Sequence, residues 1–338
     1  MTRQAPTPLR SAIDIVADAC RVARAVQRNL ENVRKITKDD RSPVTVADFA
    51  VQAIVQLGLA MHDEKPLIVG EERATLLRDP DQAAVLDAVV EAVHNWREHI
   101  TVDEILAAID ACDHDGSADA YWTLDPIDGT KGFLRGQQYA VALARIENGQ
   151  VSLGVMGCPN LAADHGASVA EADARGTIYA ATKGGGAWQL AADKPAEQPD
   201  RITIATLDPT DAIRACESVE SEHSKQSDTH RILEEIGGAG EPVRLDSQCK
   251  YAVVARGQAD AYLRLPTKKD YVEKIWDHAA GMLIAEEAGA VVSDVTGAPL
   301  DFTQGRRLEN NRGIICAVPD IHPRIIDAID RLGIAAAV

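Results

Sequence analysis

The stretch WTLDPIDGTKGF, residues 122–133, sets two carboxylates and a hydroxyl around a Pro/Gly turn. Carboxylates as close in sequence as Asp125 and Asp128 repel each other unless a cation lies between them, and hard oxygen donors of this kind suit Mg²⁺ with some of its waters retained. Such a centre fits metal-dependent hydrolysis of a phosphate ester. The same residues also fit an ordinary Asp-Pro turn capping the helix behind it. Three further pieces place acids where a strand ends or a helix begins: VTVADF with Asp48, IVGEE with Glu71 and Glu72, and KIWDHAAG with Asp277. Layered α/β proteins commonly carry function at such positions. Each piece has a plainer reading too: Asp48 as a helix-start residue, Glu71 and Glu72 as a solvated pair, and Asp277 as the N-cap of HAAGMLIAEEAG. Four such pieces in one chain favour a shared centre.

Tyr121 to Leu124 reads as the end of a buried strand, and Pro126 with Gly129 predicts a sharp turn after it, carrying Asp125 and Asp128. Upstream, Leu9, Ile13, Val16, Cys20, Ala23, Val26 and Leu30 recur at helical spacing and predict an amphipathic helix over 9–36. SPVTVADFAVQAIVQLGLAMH opens a second helix near Asp48, PLIVGEE is a short buried strand, and 79–111 is helical. From 139 to 190, short apolar runs alternate with NGQ, RG and GGG turns, the pattern of antiparallel strands. KGGGAW at 183–188 looks like a phosphate-cradling loop but opens no helix, so a hairpin turn is the better reading. Beyond residue 200, strand and helix alternate: RITIA, a helix around 229–236, YAVVARGQADAYLRL, a helix after Trp276, GIICAV and a terminal helix. An α+β unit over 1–200, carrying the acidic centre, is thus followed by an α/β unit over 201–338, the boundary falling in the polar AADKPAEQPD.

With 338 residues and 46% hydrophobic content, the chain can bury one large core or two adjoining ones, which argues against a small binding module. No apolar run approaches the roughly 20 residues of a membrane span, and MTRQAPTPLR lacks the apolar segment of a secretory signal. A soluble, cytoplasmic protein with no membrane partner is expected. Six scattered cysteines without a CxxC pair speak against a zinc site or a disulfide framework and for buried thiols. His62, His94, His99, His114 and His165 lack ligand spacing. A net charge of −17 argues against a nucleic-acid partner. An acidic chain that acts on phosphate esters must neutralise its ligand locally, with metal ions and a few placed Lys or Arg side chains.

In the order Asp after a Val/Thr stretch, GEE, DPIDGT, then WD before a small-residue helix, the chain resembles the lithium-sensitive, Mg²⁺-dependent phosphatases of the inositol monophosphatase superfamily, from Asp14 to about Leu332. Within it, TKGFLRGQQYAVALA, VESEHS, DSQCKYAVVARGQADAYLRLP and YVEKIWDHAAG resemble the 3'(2'),5'-bisphosphate nucleotidase branch, whereas inositol monophosphatases typically continue DPIDGT with TNF in place of KGF. The resemblance implies a layered αβαβα sandwich of the inositol monophosphatase and fructose-1,6-bisphosphatase type. It implies Glu71, Asp125, the Ile127 carbonyl, Asp128 and Asp277 as ligands of two or three Mg²⁺ ions, Thr130 paired with Asp48 to activate water, and Glu72 in support. Around the nucleotide it implies Gly129, Thr130, Ser247, Lys250, Arg264 and Asp277, with His223 and Ser224 toward the adenosine; SEHSKQSD departs from the family pattern after Ser224. The implied activity is removal of the 3'-phosphate of 3'-phosphoadenosine 5'-phosphate (PAP), and also action on 3'-phosphoadenylyl sulfate (PAPS), in sulfate assimilation, with inhibition by Li⁺ and, in some members, Na⁺. Hydrolysis of inositol 1,4-bisphosphate is the alternative with the same chemistry, and a catalytically silent nucleotide sensor is a remote one.

Overall fold

In a computed structural model, residues 7–30, 42–208, 210–219, 226–266 and 271–334 are described. Helices α1 (Thr7–Arg28) and α2 (Ser42–Ala60) precede strand β1 (Ile68–Gly70), and α3 (Ala83–His94) and α4 (Val102–Asp110) lead into β2 (Ala120–Asp128). A short helix α5 (Thr130–Leu134) follows β2 directly. Strands β3 (Ala140–Glu147), β4 (Gln150–Cys158), β5 (Thr177–Thr182), β6 (Ala187–Ala191) and β7 (Asp200–Ile202) complete a seven-stranded sheet in sequence order. Only its β1–β2 pair is parallel; from β2 to β7 it is an antiparallel meander.

A second sheet has five strands, in the order β11-β12-β10-β8-β9: β8 (Ala215–Glu217), β9 (Val243–Arg244), β10 (Ala261–Arg264), β11 (Val291–Ser293) and β12 (Ile314–Ala317). Its helices are α6 (Gln226–Ile236), α7 (Cys249–Ala255), α8 (Ala279–Glu287) and α9 (His322–Arg331).

Alternation along the strands builds the layers. On β3, Val141 and Leu143 join α1 to α4 in one core, while Ala140, Ala142 and Ala144 face the other way into a core shared with α7, α8 and the second sheet. Leu263 and Ile315 of the second sheet face a third core with α6 and α9. The result is the expected αβαβα sandwich. Small residues let its middle layer approach closely: a Cβ on Gly154 would lie 3.0 Å from the Ala280 carbonyl oxygen, and one on Gly281 would lie 2.3 Å from the Tyr251 ring.

Several local expectations change. Asp48 lies inside α2, which begins at Ser42, so the Val/Thr run is helical and Asp48 does not start the helix. Residues 249–255 form α7 rather than extending a strand into β10, because every one of them is buried between two sheets and tertiary packing overrides the β-branched pair Val253–Val254. RITIA adds β7 to the edge of the first sheet. The glycine-rich segment is the β5–β6 hairpin, and its anion-binding N–H groups are taken up internally: Gly184 and Gly186 donate to the Glu287 carboxylate at 2.6 and 2.8 Å. All six cysteines are free and buried. Burial pushes Cys20 and Cys112 up to about 12, which keeps both as unreactive thiols. Among the described residues no helix is long and apolar enough to cross a membrane.

Candidate active site

Strand β2 does not stop at Leu124; it runs through Asp-Pro-Ile-Asp to Asp128. Residues three apart on a regular strand point to opposite faces. Here Asp125 pairs with Ala142 and Asp128 with Ala140, so three steps on β2 oppose two on β3, and the extra residue of this bulge brings both aspartates to one cleft. Pro126 sits inside the bulge, where its missing N–H breaks no ladder bond. Gly129 then turns the chain at φ +92° into α5, and a Cβ there would come within 2.8 Å of the Ser247 Cβ. Ser247 itself is held in the left-handed region at φ +70°.

The cleft encloses about 520 Å³. Glu71, Asp125, Ile127, Asp128, Gly129, Thr130 and Asp277 line one part of it; Ser247, Lys250, Tyr262, Arg264 and Tyr271 line another. His223 and Ser224 lie outside the described residues.

In the acidic part the carboxyls hold their protons tightly. Burial, then the neighbouring Glu71, Asp128, Asp277 and Asp48, raise Asp125 well above the usual carboxylate range. Among the described residues its Oδ1 is buried without a hydrogen-bond partner. Glu71 opens onto solvent at the end of β1, yet the surrounding protein, then Glu72 and Asp128, push it up to about 7. Burial raises Asp277 well above its usual value although Arg264 opposes this, and Asp48 is raised by burial, Glu72 and Glu71. A buried, unpartnered carboxylate oxygen among other acids is the environment a divalent cation relieves, so the residues present fit Mg²⁺. No three of Glu71, Asp125, Asp128 and Asp277 bring ligand atoms within 4.8 Å of one another; among the described residues the trio that does is Glu273, Asp277 and His278. Glu273 and His278 are already bonded to each other, which leaves Asp277 as the open member.

Three features hold this part in place. Gln52 clamps the loop after β1, accepting from the Glu72 N–H at 3.0 Å and donating to its carbonyl at 2.9 Å. The Gln248 N–H donates to Asp128 Oδ2 at 2.5 Å, while the Gln248 side chain donates to the Trp276 carbonyl at 2.8 Å and accepts from the Gly281 N–H at 3.2 Å. One glutamine thus ties the bulge to the segment carrying Asp277. Asp277 ends a 3₁₀ turn, Ile275–Asp277, and does not cap α8, whose N-cap is His278. Helix α2 packs against α5, so Asp48 and Thr130 lie on touching elements. Among the described hydrogen bonds none joins them, and their pairing rests on the resemblance.

In the basic part, Lys250 is 4% exposed, donates to the Leu245 carbonyl at 3.3 Å and lies over the Tyr262 ring. Burial lowers its pKa while Asp128 and Asp246 oppose that. Arg264 ends β10 and bonds Glu273 at 2.9 Å. Gln248, Tyr271, Glu273 and His278 escaped the sequence reading. Glu273 and His278 stood in YVEKIWDHAAG, but no local signal marks which of its polar residues meet a partner across the fold.

The chain matches the sequence profile of the inositol monophosphatase family over residues 7–333. A 3'(2'),5'-bisphosphate nucleotidase of Schizosaccharomyces pombe is 43% identical over 302 residues, 87% of this chain and 85% of that one. Another from Dictyostelium discoideum is 38% identical over 326 residues, covering 95% of each chain. The solved structure of Mycobacterium tuberculosis SuhB superposes with a TM-score of 0.61 at 21% identity, covering 97% of this chain and 98% of that one, a likeness in fold.

Proposed function

Because the chain belongs to the inositol monophosphatase family, we propose that it is a 3'(2'),5'-bisphosphate nucleotidase, removing the 3'-phosphate of PAP to give AMP and phosphate. The observation that carries this reading is the division of one cleft into an acidic part around Asp125 and a basic part with Lys250 and Arg264. A substrate with two phosphates suits that division: one phosphate is cleaved among the acids, the other is held by the cations. PAPS, which shares the 3'-phosphate, is a second substrate in this reading.

Glu71, Asp125, the Ile127 carbonyl, Asp128 and Asp277 would hold two or three Mg²⁺ ions. Bound there, the ions supply an activated water and stabilise charge on the leaving oxygen. The Asp48 carboxylate accepts a proton through the Thr130 hydroxyl. Glu72 supports the site from behind. Gly129 lets the backbone approach the transferred phosphate closely. Ser247 offers a hydroxyl, and Lys250 and Arg264 offer charge to the other phosphate; the assignment of His223 and Ser224 to the adenosine rests on the resemblance alone. Residues 1–200 contribute the acidic part apart from Asp277, and 201–338 contribute Asp277 and the contacts to the uncleaved phosphate.

The deciding experiment is phosphate release from PAP, PAPS, inositol 1,4-bisphosphate and inositol 1-phosphate, with Mg²⁺, with chelator and with Li⁺. Preference for the adenine nucleotides, lost on chelation and reduced by Li⁺, supports the reading. Preference for an inositol ester keeps the metal chemistry and overturns the substrate.

A further inference from the structure

Glu273 stands behind the cleft and has no oxygen to spare. It is 4% exposed. Its Oε1 accepts the Arg264 Nε–H at 2.9 Å, and its Oε2 accepts from His278 Nε2 at 3.1 Å. A carboxylate can only accept, so Nε2 carries the ring proton and the bare Nδ1 receives the Tyr251 hydroxyl at 3.0 Å. Tyr251 and His278 are fully buried. A chain of hydrogen bonds therefore runs from the middle-layer core through His278 and Glu273 and ends on Arg264.

Arg264 sits between two acids. Its Nη2 donates to the Tyr271 hydroxyl at 3.3 Å and stands 3.9 Å from Asp277 Oδ2, too far for a hydrogen bond. The Tyr262 side chain is a further hydrogen-bonding neighbour of the guanidinium. A flexible arginine stem without an anchor at Nε would let the guanidinium close on Asp277, a residue the proposed reaction needs for cation binding. We infer that Glu273, braced by His278 and Tyr251, is a positioning residue that fixes Arg264 for the uncleaved phosphate of the nucleotide and holds it off Asp277. This rests on the reading of Arg264 as a nucleotide contact. Burial by itself would raise the Glu273 carboxyl, but Arg264 and the His278 hydrogen bond hold it down at about 2. Glutamine in its place would keep the shape but offer one acceptor where two N–H groups point.

The test compares wild type, Arg264→Ala, Glu273→Gln, Tyr251→Phe and the Arg264→Ala/Glu273→Gln double variant, each checked for folding by its thermal midpoint. Two quantities are measured: AMP affinity by calorimetry, and kinetics on PAP against adenosine 3'-phosphate, which lacks the second phosphate. Glu273→Gln is expected to weaken AMP about tenfold, the scale of losing a supporting partner behind a functional group. It should raise KM for PAP more than it lowers kcat, with a smaller loss on adenosine 3'-phosphate. The double variant should be no weaker than Arg264→Ala alone, and Tyr251→Phe should move the same quantities in the same direction by less. If Arg264→Ala weakens AMP while Glu273→Gln binds it as wild type does, the positioning role is overturned and the nucleotide reading stands. If Arg264→Ala itself leaves AMP affinity and the preference for PAP unchanged, the nucleotide reading of Arg264 fails, and the inference with it. Should Glu273→Gln not fold, Tyr251→Phe decides: AMP affinity equal to wild type counts against the inference.

Discussion

Asp125 and Glu273 are both buried carboxyls beside one cleft, 3% and 4% exposed, and their proton affinities move in opposite directions. Asp125 is raised well above the usual range by burial and four acidic neighbours; Glu273 is held at about 2 because Arg264 and His278 outweigh its burial. Burial costs both, and the partner decides the outcome. Glu273 has its cation supplied by the protein and serves as structure. Asp125 has none among the described residues, and in the proposed reading a Mg²⁺ ion completes it.

The sharpest way to break this comparison is to neutralise the acidic side. Asp125→Asn is expected to lower PAP hydrolysis at least about 1,000-fold, the scale of losing several kcal/mol of charge stabilisation. AMP affinity, which the basic part governs, should change little, and an equal loss in both would show that the two parts are not separable. Thr130→Ala and Asp48→Asn are each expected to cost roughly 100-fold in kcat, and the double variant little more than either, because groups acting as one unit are not additive. Full activity in either single variant would remove the pair from water activation.

Stability should divide in the same way. Gly129→Ala adds a Cβ 2.8 Å from Ser247 at a positive φ, for an expected loss of roughly 2 kcal/mol in urea unfolding. Glu71 is an acid raised in the fold to about 7 from an ordinary 4.5, so its contribution is complete below about pH 4.5 and is lost as pH rises toward 7. Mg²⁺ offsets that loss, and the gap in melting temperature between Mg²⁺ and chelator should widen from about pH 5 to about pH 8. Glu273 runs the other way: its pKa is depressed from 4.5 to about 2, so its contribution is complete above about pH 4.5 and is lost as pH falls toward 2. Replacing it with glutamine should flatten acid unfolding across that window and, by letting Arg264 close on Asp277, narrow the Mg²⁺ gap slightly, the smallest effect of the series.

Residue types and short-range order carried much of this in the sequence. Helical spacing marks α1, alternation marks the β3–β6 meander, and DPIDGT, GEE and WD fix which acids are available. These are properties of a few neighbouring residues, which a linear chain displays directly. The parity of Asp125 and Asp128 depends on β3 opposing them with one residue fewer, and a strand cannot announce its partner's register. The helical state of 249–255 follows from its burial between two sheets, and the left-handed Ser247 meets Gly129 only when α7 reaches the end of β2. The same holds for Glu273, whose role depends on Arg264 arriving from β10 and His278 from the next turn. The sequence by itself determined which charges exist and the local pattern that carries them. Only the tertiary structure decided which carboxyl meets a cation of the chain and which is left for a metal, because that choice is made by contacts across the fold.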